Sequence, residues 1–147
     1  MKLKQIVVSI ENSPNRLYQV TNALGEAGIN LRALNLVDTG AFGQLRLLVS
    51  DVATARRILM ELNMPAFVNE VIAVEIPDVP KSLANVLKPL LDAGIHTTSM
   101  YAFTGFSNEK AVMVFRFSDN ERAVEILEQH GVNILDADSF GMLESRR

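Results

Sequence analysis

Residues 10–30, IENSPNRLYQVTNALGEAGIN, are written a second time at residues 76–96, IPDVPKSLANVLKPLLDAGIH. Pro14 answers Pro80, Leu17 answers Leu83, Val20 answers Val86, Leu24 answers Leu90, and Ala27-Gly28-Ile29 answers Ala93-Gly94-Ile95, always 66 residues later. One repeat of that length predicts two small domains rather than a solenoid, here residues 1–69 and 70–147. Each half has about 70 residues, a size at which a lone hydrophobic core is marginal. With no cysteine anywhere in the chain, neither half can gain a disulfide or a thiolate zinc site. The missing stability is expected from packing the halves together or from a second chain, so a homodimer is predicted.

The formal net charge is −3, and no run of lysine or arginine is longer than a pair. Nothing there attracts a phosphate backbone over a large surface, which argues against nucleic acid as a partner. The first residues, MKLKQIVVSIEN, carry lysines and a short apolar run. That run meets Glu11 and Asn12 without the longer apolar core and cleavage site of a signal peptide. No stretch is long enough to span a bilayer. A cytoplasmic protein without a membrane partner is the expectation, and the absence of cysteine fits it.

Residues 2–10 predict a strand with Ile6, Val8 and Ile10 on one face. A helix follows, capped by Asn12 or Ser13, with Pro14 at its first position and Leu17, Val20, Leu24 and Ala27 on its buried side. Gly28 supplies the left-handed residue that ends it. Residues 31–38 and 43–50 predict two strands of a hairpin, the second with Leu45, Leu47 and Val49 on one face. Asp51 caps a second helix whose stripe is Ala55, Ile58, Leu59 and Leu62, and a strand begins again at Phe67. The fold class is therefore α+β: two ferredoxin-like βαββαβ modules, each an antiparallel four-stranded sheet with both helices on one face. In the second copy Met113, Phe115 and Phe117 stand for Leu45, Leu47 and Val49, and Ala123, Ile126 and Leu127 stand for Ala55, Ile58 and Leu59. Pro89 falls inside the second copy's first helix, where it withholds a hydrogen bond from the Asn85 carbonyl and can shape a cleft beside the helix.

The sheet faces turned away from the helices hold Val7, Leu48, Val71, Ala73, Val112 and Val114 among Gln5, Arg46, Glu75 and Arg116, too apolar for a wet face. They are expected to pack on each other or on a second subunit. An RNA-binding sheet of this topology would need outward aromatics on the third strand, and Phe115 and Phe117 share the core phase instead.

No nucleophile, acid–base pair, cofactor motif or metal-loop spacing stands out. Asp38, Asp51, Asp119 and Glu75 lack the spacing of a metal loop. His130 is expected to cap a helix C-terminus, and His96 occupies the position of Asn30 in the other copy. What remains is two strand-to-helix turns, Asn12-Ser13-Pro14-Asn15 and Asp78-Val79-Pro80-Lys81. Each ends at a helix N-terminus whose free N–H groups favour a carboxylate, provided the side chains do not simply cap it.

The segments Ile10-Glu11-Asn12-Ser13-Pro14-Asn15-Arg16-Leu17, Glu26-Ala27-Gly28-Ile29-Asn30 and Asp92-Ala93-Gly94-Ile95-His96 resemble the strand-to-helix and helix-exit signatures of the ACT domain, here as a tandem pair over nearly the whole chain. The resemblance implies a non-catalytic regulatory protein, with a small amino acid held between ACT modules and the signal passed to a regulated protein partner. By position it implicates Asn12, Ser13, Pro14 and Asn30 in one copy, and Asp78, Val79, Pro80 and His96 in the other. The glycine that commonly follows the loop proline is Asn15 or Lys81 here; asparagine takes the left-handed conformation more readily than lysine. Asp78 would also repel a carboxylate, so the first loop is expected to be the stronger site. The alternative class is a protein–protein interaction module without a small-molecule ligand. A small enzyme of the same topology would need an acid–base pair, most plausibly built on His96.

Overall fold

The computed structural model describes residues 2–11, 13–104 and 109–142. The chain divides into two compact units, one of Lys4–Asn69 with residues 137–142, the other of Glu70–Asp136 with Lys2 and Leu3. The first is termed the N-terminal module and the second the C-terminal module.

In the N-terminal module the elements are β1 (Leu3–Glu11), α1 (Pro14–Glu26), β2 (Leu31–Asp38), β3 (Phe42–Val49), α2 (Val52–Glu61) and the start of β4 (Ala66–Pro77). Strand β3 is central, with Leu47 opposite Ile6 of β1 and Leu45 opposite Leu36 of β2, both antiparallel. The strand order is β2-β3-β1-β4, and the Ser9 N–H donates to the Pro65 carbonyl at 3.0 Å where β4 approaches β1. The C-terminal module contains the rest of β4, α3 (Ser82–Asp92), β5 (Thr97–Thr104), β6 (Lys110–Phe117), α4 (Asn120–Gln129) and β7 (Asn133–Leu135). Ile72 of β4 faces Phe115 of β6, β5 flanks β6 on its far side, and β7 flanks β4. Its order, β5-β6-β4-β7, is that of the first module, so both are ferredoxin-like βαββαβ units.

The apolar alternation explains the cores. Leu45, Leu47 and Val49 are buried in one module, and Phe115 and Phe117 hold the same phase in the other. The two phenylalanine rings stack at 4.8 Å with 21° between their planes, inside a cluster that includes Ile72, Val74, Val86, Leu90 and Leu127. Neither ring is presented for base stacking. Val7, Leu48, Val71, Ala73, Val112 and Val114, on the opposite sheet faces, are buried as well.

The second helix of each module starts on an aspartate. Asp51 accepts from the Thr54 N–H at 3.2 Å, and Asp119 accepts from the Arg122 N–H at 3.1 Å. Such caps contribute about 1 kcal/mol each. Helix α1 ends at Gly28, whose φ of 78° is the left-handed conformation expected there. Helix α3 runs through Pro89 to Asp92.

Lys2 and Gly141 each make long-range polar contacts within their modules. In the C-terminal module Lys2 Nζ lies 2.9 Å from Glu121 and 3.5 Å from Glu70. In the N-terminal module Arg32 Nε donates to the Gly141 carbonyl at 2.9 Å, and Phe140 and Met142 are buried. Among the described residues no helix is long and apolar enough to cross a membrane, and no group of three His, Asp or Glu could hold a metal ion.

Candidate functional site

Where β1 runs into α1, the N-terminal module has a cleft of about 200 Å3 lined by Ile10, Glu11, Ser13, Pro14, Leu17, Leu36, Asp38 and Gly43. Its walls follow from the topology. The end of β1 and the first turn of α1 form one side, and the facing ends of β2 and β3 form the other. Gly43 makes the space. It is buried at the position before Leu45 and Leu47 in the core phase of β3, and a Cβ there would stand 3.1 Å from Leu36 Cδ1. The apolar wall is Ile10, Leu17 and Leu36, with the carboxylates of Glu11 and Asp38 at its edge. Asp38 Oδ1 accepts from the Gly40 N–H at 2.9 Å, which holds that carboxylate in the β2–β3 turn.

Ser13 occupies the N-cap position of α1, yet its side chain makes no capping hydrogen bond. The sequence allows a serine cap here; the structure leaves the hydroxyl out of it and keeps Pro14 at the first turn. Helix α3 is likewise uncapped by a side chain, because its N-cap residue is Lys81, which has no acceptor to offer. Among the described residues, the first helix of each module therefore has no side-chain cap from its N-cap residue, while the second helix of each is closed by aspartate.

The expected site residues fall in several places. Asn12 lies outside the described residues. Ser13 and Pro14 line the N-terminal cleft, whereas Asn30 does not. Asn30 is exposed at the entry to β2, where its N–H donates to Ser50 Oγ at 2.8 Å and its carbonyl accepts from the Ser50 N–H at 2.9 Å. His96 repeats that arrangement at the entry to β5: its N–H donates to Ser118 Oγ at 3.1 Å and its carbonyl accepts from the Ser118 N–H at 2.8 Å. Asp78, Val79 and Pro80 form an exposed turn, with the Asp78 N–H donating to the Glu109 carbonyl at 3.0 Å. His130 matches its expected role, with ring Nδ1 2.9 Å from the Ile126 carbonyl at the end of α4.

The two loops differ in a way the sequence comparison inverts. Lys81, not Asn15, takes the left-handed conformation, with φ of 75°. Helix α1 starts on Pro14, but α3 starts on Ser82, two positions after the matching Pro80. Asn15 is consequently helical, and Lys81 must close the longer turn. Leu36, Asp38 and Gly43 are cleft residues that the loop motif does not reveal. The available signal was Gly43 itself, a residue without a side chain at a core-phase strand position.

The ACT domain pair family matches residues 1–143. No curated protein matches the chain. Among solved structures, protein BT0572 from Bacteroides thetaiotaomicron is similar at 34% identity and a TM-score of 0.91, covering 97% of this chain and 98% of that one. The ligand-free regulatory subunit of aspartate kinase from Thermus thermophilus shares the fold at 18% identity and a TM-score of 0.62, covering 86% and 91%. Its counterpart from Thermus flavus does so at 17% identity and 0.58, covering 86% and 90%. The repeated βαββαβ unit and the match over residues 1–143 place the chain in the family of ACT domain pairs.

Proposed function

We propose that the chain is a non-catalytic regulatory protein whose N-terminal cleft binds a small amino acid and passes the signal to a protein partner. The observation that carries this reading is the contrast in capping. Two helices are closed by aspartate, while Ser13 at the N-cap of α1, which opens on the cleft, makes no capping hydrogen bond. A ligand carboxylate there would gain about 0.3–2 kcal/mol from the helix dipole and about 1.5–3 kcal/mol from each charge-assisted hydrogen bond. Glu11 and Asp38 suit an ammonium group at the rim, and Ile10, Leu17 and Leu36 suit a small apolar side chain. Asn12, Ser13 and Pro14 are assigned the carboxylate end. Asp78, Val79 and Pro80 form the counterpart turn, and the exposed Asn30 and His96 are assigned to contacts from a neighbouring copy.

The test is a thermal-shift screen of the twenty amino acids at millimolar concentration. At about 100 times its dissociation constant a ligand stabilises the native state by about 2.7 kcal/mol. A rise with one or two related amino acids, lost in Asn12→Ala, is expected. No rise with any of them sinks the sensor and leaves the interaction module.

A second copy is assigned to the edge strand β2, because Leu34, Leu36, Val37 and neighbouring Phe42 are all exposed there. An apolar open edge is a template for pairing with another chain. In sedimentation velocity the native chain is expected to run as a dimer and Leu34→Lys as a monomer. Identical sedimentation of the two would refute this assignment.

A further inference from the structure

A second cleft, in the C-terminal module, differs from the first in position and chemistry. It measures about 460 Å3, and its floor includes Ile76, Val86 and Val132. The polar groups around it are Glu75, Ser82, Asn85, Lys110, His130 and Asn133. Ser82 is only 8% exposed and lines this space.

The duplication shows what that place accepts. Ser82 answers Arg16, Pro77 answers Glu11, and Asn85 answers Gln19, each 66 residues apart. In the N-terminal module these three positions are joined by the arginine. Arg16 Nη1 donates to Gln19 Oε1 at 2.8 Å, and Arg16 Nε lies 3.5 Å from Glu11 Oε1, an ion pair without hydrogen-bond geometry. The chain's own guanidinium thus sits across the place that Ser82 leaves open. With serine in place of arginine, the same flank of the first helix becomes a cleft.

We propose that the C-terminal cleft is a binding site for a small molecule bearing a guanidinium or ammonium group, in the place that Arg16 fills in the N-terminal module. Its acceptors are Ser82 Oγ, the Asn85 side-chain carbonyl and Glu75, the only carboxylate among the lining residues. Glu75 is held in position by Asn133, whose Nδ2 donates to Oε1 at 3.1 Å. Lys110 lies on the same rim and matches a carboxylate on the same ligand. A zwitterion with a cationic side chain fits all of these groups.

The probe is L-arginine, titrated at millimolar concentration into the full chain and followed by amide chemical shifts, with methylguanidinium and acetate as separate arms. Saturable shifts are expected at Ser82, Asn85 and Val132 with L-arginine, weaker ones with methylguanidinium, and none with acetate. Ser82→Arg, which rebuilds the N-terminal arrangement, is expected to abolish them. Asn85→Leu, at an exposed helix position that keeps folding intact, is expected to weaken binding about 10- to 100-fold, the loss of one charge-assisted bond. Arg16→Ser is expected to open a second responsive cleft around Glu11 and Gln19. Absence of shifts with both guanidinium probes, undiminished shifts in Ser82→Arg, or shifts reproduced by acetate alone would each overturn the proposal. Because Gly43→Val alters only the N-terminal cleft, arginine shifts that persist in that variant separate this site from the amino-acid site of the proposed function.

Discussion

Phe115→Ala is expected to remove about 3–5 kcal/mol of stability, the usual cost of emptying a phenylalanine site in a packed core. The ring is 0% exposed and stacks on Phe117 within the core of the C-terminal module. Its neighbours come from β4, α3 and α4 as well as β6, so no single side chain can collapse into the space. Set against a typical domain stability of about 5–15 kcal/mol, this loss leaves a unit that unfolds in mild urea. Phe115→Leu should cost less than about 1.5 kcal/mol, because most of the volume is kept. Equilibrium urea unfolding followed by far-UV circular dichroism gives both values. A midpoint for Phe115→Ala equal to the parent's would show that the ring is not the core element described above.

Gly43→Val is expected to abolish the response of the N-terminal cleft to its amino-acid ligand while the module stays folded. The added Cβ meets Leu36 Cδ1 at 3.1 Å, Val37 O at 3.6 Å and Ile10 Cγ1 at 3.9 Å. Only the first is tight, and it is the tip of a flexible side chain that is 46% exposed. The backbone therefore has no reason to move, and valine is favourable in a strand. Its two methyl groups enter the space between Ile10, Leu17 and Leu36 that the ligand side chain would use. At about 100 times the dissociation constant, the variant should lose the whole stabilisation of about 2.7 kcal/mol. Thermal melts with and without ligand make the comparison. A full ligand shift retained in Gly43→Val would place the amino acid elsewhere.

Much of the architecture is visible in local patterns. The copy of residues 10–30 at residues 76–96 is enough to double the fold, and strand alternation sets the buried phase of Leu45, Leu47, Phe115 and Phe117. Asp51 and Asp119 cap their helices as their positions predict, because a cap depends on only a few neighbouring residues. The loops are less legible for the same reason in reverse. Ser13 is a favourable cap residue that does not cap, and the choice between Asn15 and Lys81 for the left-handed position depends on where each helix begins. Propensity ranks residues for a conformation; it does not fix the register of a turn against its sheet.

What the sequence by itself determined is the doubled βαββαβ fold, its element order, its buried faces and the two turns worth suspecting, all of which arise from periodicity and short-range chemistry. Only the tertiary structure decided which space stays open. Gly43 opens a cleft because a Cβ there would meet the tip of the Leu36 side chain, and Arg16 fills a place that Ser82 leaves empty because Glu11 and Gln19 converge on it. The Arg32–Gly141 contact joins residues 109 positions apart. Such spaces and contacts are set by side chains meeting from different elements, and no local pattern in the chain encodes that meeting.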